Sequence, residues 1–275
     1  MKRNTRLWLS ATTMAALVIS VATPSAWAAK LDEADIHIEI NDTDGDAGIQ
    51  IFLDAEGWRK MVVRDPDRNV ILHIQGAGSV GFQGITELFL ESAEPSFDEQ
   101  PLGDFLALFP AGIYRFRGRT TDGRRLRGRA ELTHILPAAP ILIFPVGGEE
   151  VDPKNAVFMW FLVPDPAGGE IVGYHVVVEC EEPDLVKFEV DVGPAVDSIT
   201  VPPEFLVGEE CKWEVLATEE SGNQTISEDE FEIDWWHPWS LPRAQLAESH
   251  RSCAERFPSS TPSPVVGCRG GGARA

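Results

Sequence analysis

Six arginines form the densest chemical feature of this 275-residue chain. Arg115, Arg117 and Arg119 alternate with Tyr114, Phe116 and Gly118; beyond Asp122-Gly123, Arg125, Arg127 and Arg129 alternate with Leu126, Gly128 and Ala130. Successive side chains of an extended chain point to opposite faces. A hairpin turning at Asp122-Gly123, a dipeptide suited to tight turns, therefore puts all six arginines on one solvent face. Tyr114, Phe116, Leu126 and Leu132 take the core face. Like charges opposed across strands resist pairing unless something neutralises them. Three sources of negative charge are open: acids of the same domain, an acidic protein surface in this chain or a neighbouring copy, and an acidic polysaccharide or other anion. Guanidinium groups pair bidentately with carboxylates and phosphates, which suits any of the three.

A second candidate is Asn41-Asp42-Thr43-Asp44-Gly45-Asp46-Ala47-Gly48. Asp42, Asp44 and Asp46 offer hard oxygens of the kind Ca²⁺ prefers. The segment departs from the calcium loop of helix-loop-helix proteins, with Ala47 at the sixth position and Leu53 at the twelfth. An acidic β-turn that needs no metal is the expected reading, with Ca²⁺ as the weaker alternative.

Motifs for catalysis are thin. Gly76-Ala77-Gly78-Ser79-Val80-Gly81 spells a dinucleotide-binding pattern, but the Gly-interrupted, β-prone Phe82-Gln83-Gly84-Ile85-Thr86 is not expected to continue as the required helix. Ala77 also spoils it as a nucleophile elbow. His37, His73, His134 and His175 sit singly, without zinc spacing. Carboxylates are too abundant for any one pair to mark a glycosidase site. No enzyme is expected, and a polysaccharide hydrolase with paired carboxylates is the least favoured alternative.

The start of the chain sets an expected compartment. Lys2, Arg3 and Arg6 precede the apolar run 14–21, and Ala26-Trp27-Ala28 supplies a small-x-small cleavage pattern. Residues 1–28 read as a signal peptide of a secreted or periplasmic protein. No later run is long and apolar enough to span a membrane. Residues 29–136 hold 12 basic and 19 acidic residues, whereas 137–234 hold 3 basic and 23 acidic. The net charge of −21 disfavours nucleic acid and anionic lipid as partners of the chain as a whole.

Positioning these residues calls for sheets. Alternation recurs at Ile36/Ile38/Ile40, Ile49/Ile51/Leu53, Val70/Leu72/Ile74 and Tyr174/Val176/Val178, separated by turn signals, as in antiparallel sheets with one buried face. One helix is predicted at 98–109, where Leu102, Phe105, Leu106 and Phe109 share a face before Pro110. Pro137-Ala138-Ala139-Pro140 reads as a linker between two β-sandwich-like domains, 29–136 and 141–234. Residues 235–275, with Trp235, Trp236 and Trp239 and a Ser/Pro/Gly/Arg-rich end, read as a disordered tail. Those tryptophans fit a cap on the sandwich or a carbohydrate platform.

Residues 141–234 resemble a fibronectin type III domain. Val157-Phe158-Met159-Trp160 is similar to the second strand of that family, and Ile171-Val172-Gly173-Tyr174-His175-Val176 to the third. Cys211-Lys212-Trp213-Glu214-Val215-Leu216-Ala217 is similar to the sixth, and Ser221-Gly222-Asn223-Gln224 to the last hairpin. The resemblance implies an immunoglobulin-like sandwich in which the third and sixth strands are antiparallel neighbours. Cys211 stands where the family places its corner tyrosine, and the implied pairing brings Cys180 and Cys211 together in the core. A disulfide is expected there, with two buried thiols as the alternative. Cys253 and Cys268 are left open between a local pair and free thiols. The functional expectation is an exported binding or accessory protein acting through its sandwich surfaces, in protein binding or adhesion. A structural subunit of a surface assembly, self-associating through the arginines and the acidic domain, is the alternative.

Overall fold

The computed structural model describes residues 29–181, 184–208 and 210–234. Residues 1–28, read above as a signal peptide, and residues 235–275, with the cluster Trp235–Trp239, Cys253 and Cys268, lie outside the described residues. The chain is mainly β, as its alternation implies.

The first half contains β1 (Ala29–Lys30), β2 (Glu33–Asn41), β3 (Asp46–Arg64), β4 (Val70–Gln75), α1 (Gly78–Gln83), β5 (Ile85–Glu91), α2 (Leu102–Leu108), β6 (Gly112–Thr120) and β7 (Arg125–Leu132). The 19-residue β3 organises them. Its first part pairs antiparallel with β2 and β5, its second part with β6 and β4, and register shifts between Asp54 and Lys60 separate the two. Each part sends alternate apolar residues into one core. Ile36, Ile38, Ile49, Ile51 and Leu53 come from one layer, and Met61, Val63, Tyr114, Phe116, Leu126 and Leu132 from the other. Two layers that share a core turn their outer faces away from each other. Gly128 of β7 permits their close approach, because a Cβ there would sit 2.5 Å from Leu31 Cδ1.

Helix α2 presents Leu102, Phe105 and Leu106 to this core, joined by Phe109 just past its end, but it begins after Pro101 and is shorter than the 98–109 predicted. Two further readings are corrected. Val70 is 49% exposed rather than core-facing. The register shifts between Val63 and Arg64, so Val70 pairs with outward Arg64 while Leu72 and Ile74 face inward. The Gly76–Gly81 segment does turn into a helix, α1, which ends after six residues at Gly84 (φ +94°).

The second half contains β8 (Ile141–Phe144), β9 (Glu149–Val151), β10 (Val157–Phe161), β11 (Ile171–Cys180), β12 (Val186–Val192), β13 (Ser198–Thr200), β14 (Glu210–Glu219) and β15 (Gln224–Ile233). A three-stranded sheet, β13-β10-β8, faces the run β12-β11-β14-β15, the strand arrangement of a fibronectin type III sandwich. Phe158 packs edge-on against Trp213 and Phe231, each with centroids 5.1 Å away, and Trp160 packs on Tyr174 at 5.6 Å. Tyr174 is fully used: its hydroxyl accepts from Val163 N at 2.7 Å. Cys180 and Cys211 are register partners and form the expected disulfide, with Cα atoms 4.3 Å apart.

The halves do not merely follow one another. β15 pairs parallel with β2, Gln224 with Glu39 through Ile226 with Asn41, so one 12-stranded sheet runs through both. The 137–140 segment is held against this seam, where Thr225 Oγ1 donates to Pro137 O at 2.9 Å.

Candidate functional site

The β6–β7 hairpin is closed by residues that suit its turn. Gly123 takes φ +90°, Thr120 N donates to Arg124 O at 3.0 Å, and the Thr120 hydroxyl donates to Asp122. That hydrogen bond, with Arg124, pulls the Asp122 carboxyl down to about 2. Arg124 is ion-paired with Glu56 and Asp122, which raises its already high pKa.

The six face arginines differ. Arg115 is register partner to Arg129, Arg117 to Arg127 and Arg119 to Arg125. Arg115 is half-buried and the other five are exposed. Arg115 Nη1 donates to Ile113 O at 3.0 Å and Arg119 Nη1 to Gly123 O at 2.9 Å. Among the described residues, no carboxylate lies within ion-pair distance of any of the six. Direct ion pairs between these arginines and acids of the same domain, one form of the first source considered above, are absent among the described residues.

Neighbouring strands extend the face with cations the hairpin pattern could not reveal. Lys60 sits opposite Arg119, Arg64 opposite Arg115, and Lys30 beside Arg127. Their sequence signal was weak, because Arg59-Lys60 and Arg64 lie some 50 residues from the hairpin and read as ordinary strand charges. Two contiguous clefts run along the face. The larger, about 460 Å³, is lined by Arg59, Lys60, Gln75, Gly76, Gly81 and Arg119. The smaller, about 290 Å³, is lined by Lys60, Arg117, Arg119, Arg125 and Arg127.

Acidic groups collect on the other layer. The Asp42–Asp46 segment is a tight turn: Asn41 Oδ1 accepts from Thr43 N at 3.0 Å and Asp44 N at 3.1 Å, and Gly45 has φ +68°. Asp42, Asp44 and Asp46 do not converge. The described carboxylates that do are Glu39, Glu91 and Glu94, with oxygens within 4.8 Å of one another. These three are the described residues able to offer a hard cation a shared oxygen set, and sequence reasoning missed them because Glu39 lies about 50 residues from Glu91 and Glu94. Burial, helped by Glu91, Asp46, Glu39 and Asp44, pushes Glu94 up to about 7. Burial likewise raises Glu39, against the hydrogen bond it accepts from Gln224. At His37, burial lowers the pKa, but Asp35 (Nδ1 to Oδ2, 2.5 Å), Gln50 and Glu39 together outweigh it and leave the imidazole raised.

No family model and no curated protein matches the chain. Among solved structures it is similar to a tetra-tandem repeat from the extending region of a large adhesion protein, with 14% identity and a TM-score of 0.27 over 74% of this chain and 50% of that one. It is also similar to the chicken CNTN1 FN1–FN3 domains (9%, TM-score 0.27, 72% and 63%). A third match is Escherichia coli alpha-2-macroglobulin activated by porcine elastase (10%, TM-score 0.28, 73% and 20%). The chain thus spans less than two thirds of each of these structures. Likenesses this remote carry no argument, and the fibronectin-like description rests on strand order alone. The disulfide fits an oxidising compartment. No described helix is long and apolar enough to cross a membrane.

Proposed function

We propose that this chain is a non-enzymatic binding protein, exported from the cytoplasm, whose arginine-bearing sheet face engages an acidic partner. One observation carries the reading: three arginine pairs stand directly opposed across β6 and β7 with no described carboxylate within ion-pair distance. Opposed like charges cost up to about 1 kcal/mol per pair. An anion with several charges turns that cost into affinity, because each guanidinium already points outward beside the next. The make-up of the face supports the reading: six arginines share it with one exposed carboxylate on β7, Glu131, which is not within ion-pair distance of any of them.

Behaviour on a sulfonate cation-exchange resin at pH 7.5 tests it. A protein of net charge −21 is expected in the flow-through unless its cations are segregated. Retention is expected, and loss of retention in Arg117→Glu/Arg127→Glu. Flow-through of the unaltered chain in dilute buffer contradicts the reading.

A second reading is self-association, in which the partner is the acidic half of another copy. The 23 acidic and 3 basic residues of 137–234 favour it. Contacts between unlike faces grow chains rather than closing as dimers, as a structural subunit of a surface assembly requires. Concentration-dependent sedimentation that disappears in Arg117→Glu/Arg127→Glu would support it over an external partner.

A further inference from the structure

Beside the arginine rows, the protein has a cleft that a flat charged face does not need. Arg59, Lys60 and Arg119 line the cavity of about 460 Å³, and its remaining wall is Gln75 and the Gly76–Gly81 segment that enters α1. The glycines shape that wall. A Cβ on Gly81 would fall 2.5 Å from Gly76 O, and Gly78 takes φ +53°. No acidic residue lines the cleft. It opens, through Lys60 and Arg119, into the smaller cavity between Arg117, Arg125 and Arg127. The result is a continuous cationic trough crossing the strands.

On either side of the cleft-lining Gly81 in the chain, Phe82 is 88% exposed and Val80 is 54% exposed. A phenyl ring left this bare, one residue from a glycine that lines the cleft, has no role in the core. An aromatic face packs well against the C–H face of a pyranose ring, and guanidinium groups pair bidentately with carboxylates. Together they match a sugar chain bearing acid groups.

We infer that the trough from Arg59 to Arg127 is a binding site for a linear acidic polysaccharide. One acid group would seat between Arg59, Lys60 and Arg119, its sugar ring would lie against Phe82, and further acid groups would meet the arginine pairs. The inference rests on the function proposed above and names its ligand class. A cleft of a few hundred Å³ admits a single chain. A lipid bilayer would meet only the flat arginine rows, and an acidic protein surface would leave Phe82 without a partner.

The test uses the full chain and four probes in 0.15 M salt: polygalacturonate, polyglutamate of matched charge, dextran, and vesicles rich in anionic lipid. Tighter binding of polygalacturonate than of polyglutamate is expected, with no binding to dextran. Phe82→Ala should weaken polygalacturonate about tenfold and leave polyglutamate unchanged. Arg59→Ala should weaken polygalacturonate by several-fold. Both residues are exposed, so the fold is spared. Equal affinity for the two polymers, or Phe82→Ala and Arg59→Ala variants that bind polygalacturonate normally while Arg117→Glu/Arg127→Glu does not, would overturn the trough and leave the arginine face standing. Preference for vesicles would overturn it in favour of lipid. If neither polymer nor vesicles bind even in dilute buffer, the functional proposal falls with it.

Discussion

The side-chain amide of Asn223 joins the two halves of the protein: its Oδ1 accepts from Ile38 N on β2 at 2.8 Å. Its Nδ2 donates to Thr133 Oγ1 and Ile135 O, both at 2.9 Å, on the segment that leads out of β7. Asn223 is fully buried, so nothing replaces these partners when it is removed. Asn223→Ala should lower stability by about 2–3 kcal/mol, because a buried donor left unpaired costs roughly 1–3 kcal/mol. Calorimetry of the unaltered chain should show one transition for both halves, and the variant should show two. Two transitions before substitution would mean that the shared sheet does not couple them.

Breaking the Cys180–Cys211 bond isolates a different contribution. It closes a loop of 31 residues, which chain-entropy reasoning values at about 3–4 kcal/mol. Cys180→Ala/Cys211→Ala should lower the denaturation midpoint accordingly and leave the arginine face unaffected. A change in resin retention would show that the two halves communicate beyond the seam.

Glu94 gives a pH dependence of known sign. Its folded pKa of about 7 lies above its ordinary 4.5. Between those values the native state holds more protons than the unfolded chain, so stability falls as pH rises through that window. Glu94→Gln should raise the melting temperature at pH 8 by about 2–4 °C and have little effect at pH 5. Equal effects at the two pH values would contradict this placement of Glu94 beside Glu91 and Glu39.

Much of this architecture is legible in local pattern. The hairpin announces itself because Tyr114, Phe116, Leu126 and Leu132 must share the core face, which leaves the arginines only the other. The cysteine pair follows once the strands around Tyr174 and Trp213 are matched to a family. The seam is not legible, since a parallel pairing of Gln224–Ile226 with Glu39–Asn41 is short and joins residues 185 apart. Nothing in either strand's alternation distinguishes it. Val70 misled because a one-residue bulge reverses every side chain before it. The cleft escaped because the Gly76–Gly81 pattern was weighed as a nucleotide motif, whereas its glycines bring a loop against Arg59, Lys60 and Arg119.

A surface held for binding should be suboptimal for folding. Arg127→Glu places a carboxylate opposite Arg117 and converts repulsion to attraction. The variant should gain about 0.5–1 kcal/mol in stability by denaturant titration while losing resin retention. Loss of stability would indicate that the arginines are already neutralised in the folded protein.

The most direct measurement of the arginine face is the salt dependence of polyglutamate binding, followed by calorimetry from 0.05 to 0.3 M salt. Contacts between exposed charges release counterions, with a slope of roughly −0.7 per contact on a flexible polyanion. Six engaged arginines should give a plot of log affinity against log salt with a slope near −4, and Arg117→Glu/Arg127→Glu should show no measurable binding. A slope near zero, or a double variant that binds as the unaltered chain does, would contradict the account.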